Sequence, residues 1–180
     1  MLIKYDPVGN EIWHLSYNPT GNEYCTLSDM KTDESGNIIL TGSGDNGTVT
    51  IKVNPIGSVL WSNTWTDEFY WGLEGSLAVD SLDNIYLASN IYGSFDQVAL
   101  TKFDSNGQKL WSTICGNETI KVKKIIIDND QNLLVLCHKF DANGSLIFKY
   151  SKSGDFLWSA NNIQNYSDIA IRSEERRVGK

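Results

Sequence analysis

The phrase KFDSNGQKLW at 102–111 recurs, with substitutions, as KYDPVGNEIW at 4–13, KVNPIGSVLW at 52–61 and KYSKSGDFLW at 149–158. Its tryptophans, Trp13, Trp61, Trp111 and Trp158, stand 48, 50 and 47 residues apart. A second phrase interleaves with the first: DESGNIIL at 33–40, DSLDNIYL at 80–87 and DNDQNLLV at 128–135. Its leading residues, Asp33, Asp80 and Asp128, are 47 and 48 apart. Two independent phrases with one period restrict the chain to architectures of stacked units, in which each unit buries its apolar face on its neighbour.

Each period contains four short runs rich in Ile, Val, Leu, Tyr and Trp, separated by Gly, Asn and Asp. In the third period these are SLAVD (76–80), NIYLAS (84–89), VALTKF (98–103) and KLWSTI (109–114). That is strand-and-turn chemistry, and no segment sustains a helical apolar period. Four antiparallel strands in 40–50 residues describe a β-propeller blade. With the strands lettered a to d, full blades are expected at about 24–65, 75–115 and 122–160. Partial blades fall at 1–16 (strands c and d) and 167–171 (strand a, SDIAI). The expected fold is all-β: an open arc of four-stranded blades over 1–171.

The first phrase then has a mechanism. Asp-x-x-Gly forms the tight c–d turn, with the Asp accepting backbone amides and Gly9, Gly57, Gly107 or Gly154 supplying a positive φ or room for a bulge. The Trp that follows gives strand d a large apolar anchor for stacking on the next blade. The four glycines and four tryptophans are therefore expected to be structural.

The Asp, Gly-x-x-x-Trp element resembles the tryptophan-docking motif of quinoprotein (PQQ-like) propellers. The whole unit, D-x-x-G-N-I-x-L-x-G followed by K-Y-D-x-x-G-x-x-x-W, is most similar to the seven-bladed bacterial repeat family called SBBP, over residues 2–171. NHL repeats share the first half but usually lack the Trp. The resemblance implies a propeller fold, and an exported bacterial parent, secreted, periplasmic or at the cell surface; it implies no particular activity. The chain departs from the pattern at Asn54 and Ser151, which replace the turn Asp, and at Leu82–Asp83, where Gly36 has no counterpart.

At 180 residues the chain is long enough for a real core, and 41% hydrophobic with 21% charged residues is ordinary for a folded protein. A net charge of −7 argues against sequence-independent nucleic-acid binding and docking on anionic lipid. No run of 18 apolar residues is present. Cys25, Cys115 and Cys137 form neither a disulfide framework nor a zinc pattern and read as free thiols. The pattern stops at Ile171. Residues 172–180, RSEERRVGK, read as a tail foreign to the fold, such as a fusion scar, or as disordered. With blades cut at both ends, the expected partners are the remaining blades of a longer parent chain.

In such a blade the a–b and c–d turns share one face, and the variable b–c and d–a loops share the other, where function concentrates. The richest of these is SNTWTDEFYWGLEGS (62–76), where Trp65, Phe69, Tyr70 and Trp71 stand beside Asp67, Glu68 and Glu74. Aromatic platforms with carboxylates suit a carbohydrate or a protein ligand; the alternative is that these rings cover the blade edge. DNDQN (128–132) starts like a calcium loop but lacks the Gly at six and has Lys139 at twelve, so it reads as a turn. GSGDNG (42–47) lacks the Lys-Ser/Thr of a phosphate loop. His14 and His138 lie in different blades without a nucleophile phrase. Sequons occur at Asn46, Asn117, Asn143 and Asn165. No catalytic, cofactor or metal signature stands out. The reading is a non-enzymatic scaffold or binding module of a larger protein; the alternative is a fragment of a quinoprotein-like or hydrolytic propeller enzyme with its catalytic residues in other blades.

Overall fold

The computed structural model describes residues 1–18, 26–44, 47–65, 75–91, 96–116, 118–139, 144–162, 164 and 166–171. Among these residues there are fourteen strands and no helix. Strands β1 (Leu2–Tyr5) and β2 (Glu11–Leu15) form a two-stranded sheet. Three four-stranded sheets follow. The first joins β3 (Thr26–Thr32), β4 (Ile38–Gly44), β5 (Gly47–Val53) and β6 (Val59–Trp65). The second joins β7 (Gly75–Val79), β8 (Ile85–Ile91), β9 (Gln97–Phe103) and β10 (Lys109–Cys115). The third joins β11 (Ile120–Ile127), β12 (Leu133–Lys139), β13 (Ser145–Tyr150) and β14 (Phe156–Asn162). Every pairing is antiparallel between sequence neighbours, so each sheet is a meander of local hairpins.

Residues 167–171, expected as a strand, are not in one. No described strand pairs beside them to supply ladder hydrogen bonds; Asp168 instead forms an ion pair with Lys124 on β11.

The turns explain the repeated phrases. Asp6, Asn54, Asp104 and Ser151 each accept two backbone amides, two and four residues on, at 2.8–3.2 Å. Asn and Ser therefore do the same work as Asp, because the turn needs an acceptor oxygen and not a charge. The a–b turns are built alike on Asp33, Asp80 and Asp128. Their left-handed position is Gly36 (φ 75°) in the first sheet, but Asp83 (φ 59°) and Gln131 (φ 64°) fill it in the others. Asp83 is thus the missing counterpart of Gly36, adopting αL at a steric cost that Gly avoids.

All four β-hairpins that end in a repeat Trp carry a bulge just before it. Lys4 pairs with Trp13, Lys52 with Trp61, Lys102 with Trp111 and Lys149 with Trp158, each time skipping one residue. The skipped residues, Ile12, Leu60, Leu110 and Leu157, are exposed. A bulge re-aims the residues that follow it. Here it sets Lys and Trp directly opposite each other across the hairpin.

The cores lie between the sheets. Ile39 of the first sheet meets Leu77, Ile85, Leu87 and Phe103 of the second. The other face of the second sheet, including Tyr86, Ala88 and Leu100, packs on Ile125, Val135 and Phe148 of the third. Strand β8 is consequently buried along its whole length, its side chains alternating between the two cores.

Candidate functional site

The best-defined constellation is the seam that joins one sheet to the next: an indole on a turn glycine recurs at each of three seams, and a pair of donors to the turn carbonyl accompanies it at the first two. Along the last strands, the Trp of one sheet lies on the c–d turn of its successor. Trp13 Nε1 donates to Pro55 O at 3.0 Å, and Trp61 Nε1 donates to Ser105 O at 3.1 Å. The lysine across the hairpin reaches the same carbonyl: Lys4 Nζ to Pro55 O at 3.0 Å and Lys52 Nζ to Ser105 O at 3.2 Å. The indole lies flat against the turn glycine. A Cβ on Gly57 would sit 2.9 Å from Trp13, one on Gly107 2.9 Å from Trp61, and one on Gly154 3.1 Å from Trp111. The turn glycines therefore supply close approach as well as a positive φ. Trp61 and Trp111 are partly buried in these seams, whereas Trp158, against which no sheet packs among the described residues, is 44% exposed.

On the opposite side, the first strands of successive sheets are joined by a polar ladder that the two repeat phrases do not contain. Asp29 on β3 accepts Leu77 N–H at 2.8 Å and the Ser76 hydroxyl at 3.0 Å. Ser76 Oγ on β7 in turn accepts Ile125 N–H at 3.2 Å. Lys124 on β11 pairs with Asp168. Asp29, Ser76 and Lys124 each stand four residues before the a–b turn aspartate. The physical need is plain. A first strand is a sheet edge, and its outward N–H groups require a partner once the next sheet covers them. An acceptor side chain on the preceding sheet provides it. Lys124 cannot accept, so Ile169 N–H bonds Asp168 Oδ1 instead. One residue type never repeats here, which hides the position from a search for phrases; a fixed offset from Asp33, Asp80 and Asp128 is the only signal.

Within the sheets, ionised groups are paired. Lys52 Nζ lies 2.8 Å from Asp33 Oδ2 with both side chains almost fully buried, and Lys149 Nζ lies 2.6 Å from Asp128 Oδ2. Burial opposes ionisation of both aspartates, but hydrogen bonds from the lysines and from the turn outweigh it and hold each carboxyl below its usual value. In the second sheet Tyr86 Oη donates to Asp80 at 3.1 Å, and Lys102 sits instead over the Tyr86 ring, 4.9 Å from its centroid.

Trp65 does not stand on an open platform. It stacks on Phe103, ring centroids 4.7 Å apart, in the seam between the first and second sheets. Phe69, Tyr70 and Trp71 lie outside the described residues, as do the four sequon asparagines, Cys25 and the tail at 172–180. Asp128 is occupied by the turn amides and Lys149. Among the described residues no three His, Cys, Asp or Glu side chains converge to hold a metal ion. Cys115 and Cys137 are buried free thiols; burial pushes Cys115 up to about 12 and raises Cys137 as well, so neither is poised as a thiolate nucleophile. His14 is exposed beside Glu11, 2.6 Å away, and His138 is part-buried in β12.

No family model matches the chain, and no curated protein sequence matches it. Among solved structures, the chain is similar to a protein of unknown function from Bacteroides caccae, with a TM-score of 0.55 at 14% identity. The likeness covers 85% of this chain and 50% of that one, so the chain spans about half the length of its structural neighbour. At that identity the similarity concerns fold alone.

Proposed function

We propose that the chain is an arc of β-propeller blades acting as a non-enzymatic scaffold or binding module of a larger protein, its sheets radiating from an axis lined by the first strands. The observation that carries this reading is the seam itself: the Trp-on-glycine contact recurs in one register from the two-stranded sheet through the third full sheet. Such translation of one interface is how a radial array of sheets buries its faces. The resemblance to SBBP and quinoprotein repeats supports it from the sequence side. The described carboxylates with depressed pKa values are committed to turns, lysines or the ladder, which leaves them as poor acid–base catalysts.

The ligand face of the module is the one bearing the b–c and d–a loops, with a carbohydrate or protein as the ligand class and Phe69, Tyr70 and Trp71, in the connection between β6 and β7, as its contact. Binding to a glycan and peptide array should be lost, by tenfold or more, in a Trp71→Ala or Tyr70→Ala variant whose melting temperature is unchanged, as for an aromatic anchor at a binding surface. A wild-type chain that binds nothing on the array, or that turns over a glycoside or ester substrate, would overturn the reading in favour of the enzyme-fragment alternative.

A further inference from the structure

The two seams between four-stranded sheets are built on matching positions but filled by different side chains. Four residues after the repeat Trp stands Trp65 in the first of these sheets and Cys115 in the second. On the sheet that each one faces, Phe103 and Tyr150 stand eight residues before the repeat Trp, and Lys109 and Phe156 stand two before it. In the first seam the Trp65 indole stacks on Phe103 at 4.7 Å, with Lys109 Nζ 6.0 Å from the indole centroid. The hollow left among these side chains is only about 10 Å³. In the second seam a thiol replaces the indole. Phe148 leans on Gly116, where a Cβ would meet its Cζ at 2.8 Å, and Cys115 is fully buried. Thr113 stands in the place of Asn63, one atom shorter than the amide that bonds Gly107 O. The outer part of this seam opens as a crevice of about 470 Å³.

Both walls of the crevice belong to full four-stranded sheets. Phe156 pairs with Tyr150, and Ser159 with Phe148, across the β13–β14 hairpin, so these side chains share the face turned to the second sheet. Phe156 stands edge-on to Tyr150, ring centroids 5.7 Å apart, and is 56% exposed. Thr113 on β10 supplies the opposite wall, and half-exposed Glu118 follows beyond the strand end. Lys139 Nζ holds Glu118 Oε2 at 2.6 Å, and a carboxylate has a second oxygen with which to accept a donor. We infer that this crevice binds a small planar aromatic molecule with a ring N–H, of the indole class. Its volume falls within the roughly 300–1,000 Å³ of small-molecule sites, which combine aromatic walls with a few polar groups. The first seam shows what the matching place accepts: an indole, supplied there by the chain itself and stacked on Phe103. In the second seam Phe148 and Phe156 offer ring contacts to such a guest. Glu118 accepts its N–H, and the Thr113 and Ser159 hydroxyls meet a ring substituent. The crevice would serve a scaffold or an enzyme fragment equally, so the outcome of its test bears on neither reading of the whole chain.

The test is isothermal titration of the full chain with indole, beside N-methylindole, which has lost the donor, and cyclohexanol, which is not planar. The wild type should bind indole saturably and one-to-one, and bind each of the other two at least tenfold more weakly. Ser159→Trp sets a ring across the crevice from an exposed position, and Phe156→Ala removes an exposed part of its wall. Each should weaken indole binding at least tenfold with an unchanged melting curve. Glu118→Leu should bind indole and N-methylindole alike. The comparison of the three probes needs only the wild-type chain, so it decides the matter even where a variant fails to fold. No saturable binding of indole, equal binding of cyclohexanol or N-methylindole by the wild type, or folded Ser159→Trp and Phe156→Ala chains that bind indole as the wild type does would each overturn the inference.

Discussion

Gly107 lets the reasoning about the seams be tested with a single methyl group. Its φ is +80°, and a Cβ there would meet Asn63 Nδ2 at 2.7 Å and Trp61 at 2.9 and 3.0 Å. Asn63 cannot simply swing away, because its Nδ2 donates to Gly107 O at 2.7 Å. Trp61 is held by its bond to Ser105 O. Gly36 is the matched control: its φ is +75°, and the nearest atom to its Cβ position is Pro55 Cγ at an ordinary 3.7 Å. Both alanine variants lose about 1–2 kcal/mol from placing an L residue in the left-handed region. Only Gly107→Ala adds the cost of forcing an extra methyl into a filled contact, about 1–3 kcal/mol. The expected order is therefore Gly36→Ala mildly destabilised and Gly107→Ala worse by that second amount, read as urea midpoints at equal chain concentration. A Gly107→Ala chain no less stable than Gly36→Ala would show that the indole does not bear on the turn and would refute the docking argument.

Ser76→Ala should cost about 1–3 kcal/mol, because Ile125 N–H is left buried without an acceptor and Asn90 is already used by Val122 N–H at 2.8 Å; an unchanged denaturation midpoint would remove the ladder from the account of stability. Acid should weaken the fold with a defined sign. Asp33, Asp80 and Asp128 are all held below their usual value, so their stabilisation is present above the unfolded pKa of about 3.9 and fades as pH falls through the lower folded values. Lys52→Met reverses that sign for one group: it leaves Asp33 buried without its cation, costing about 3–5 kcal/mol near neutrality, and the deficit should shrink below pH 4 as Asp33 protonates. Melting temperatures from pH 3 to 7 for both chains check this, and a deficit that does not change with pH would exclude the buried pair.

The sequence by itself determined the local units. A turn made by an acceptor side chain, a left-handed residue and a bulge before Trp is written in contiguous residues, so the phrases at Asp33, Asp80 and Asp128 and those ending at Trp13, Trp61, Trp111 and Trp158 could be read directly as hairpins. The period then implied four-stranded antiparallel sheets packed on one another. Tertiary structure decided what those units exchange. Asp29, Ser76 and Lys124 share a position but not a chemistry, and their roles exist only because a neighbouring edge strand presents an N–H or a carboxylate to them. Asp83 and Gln131 adopt a backbone conformation that their side chains disfavour, imposed by a turn whose register the flanking strands fix. Trp65 reads in sequence as part of an aromatic loop, yet Phe103, 38 positions later in the chain, captures its ring. A side chain's partner across a seam depends on which sheet arrives beside it, and a local pattern carries no term for that.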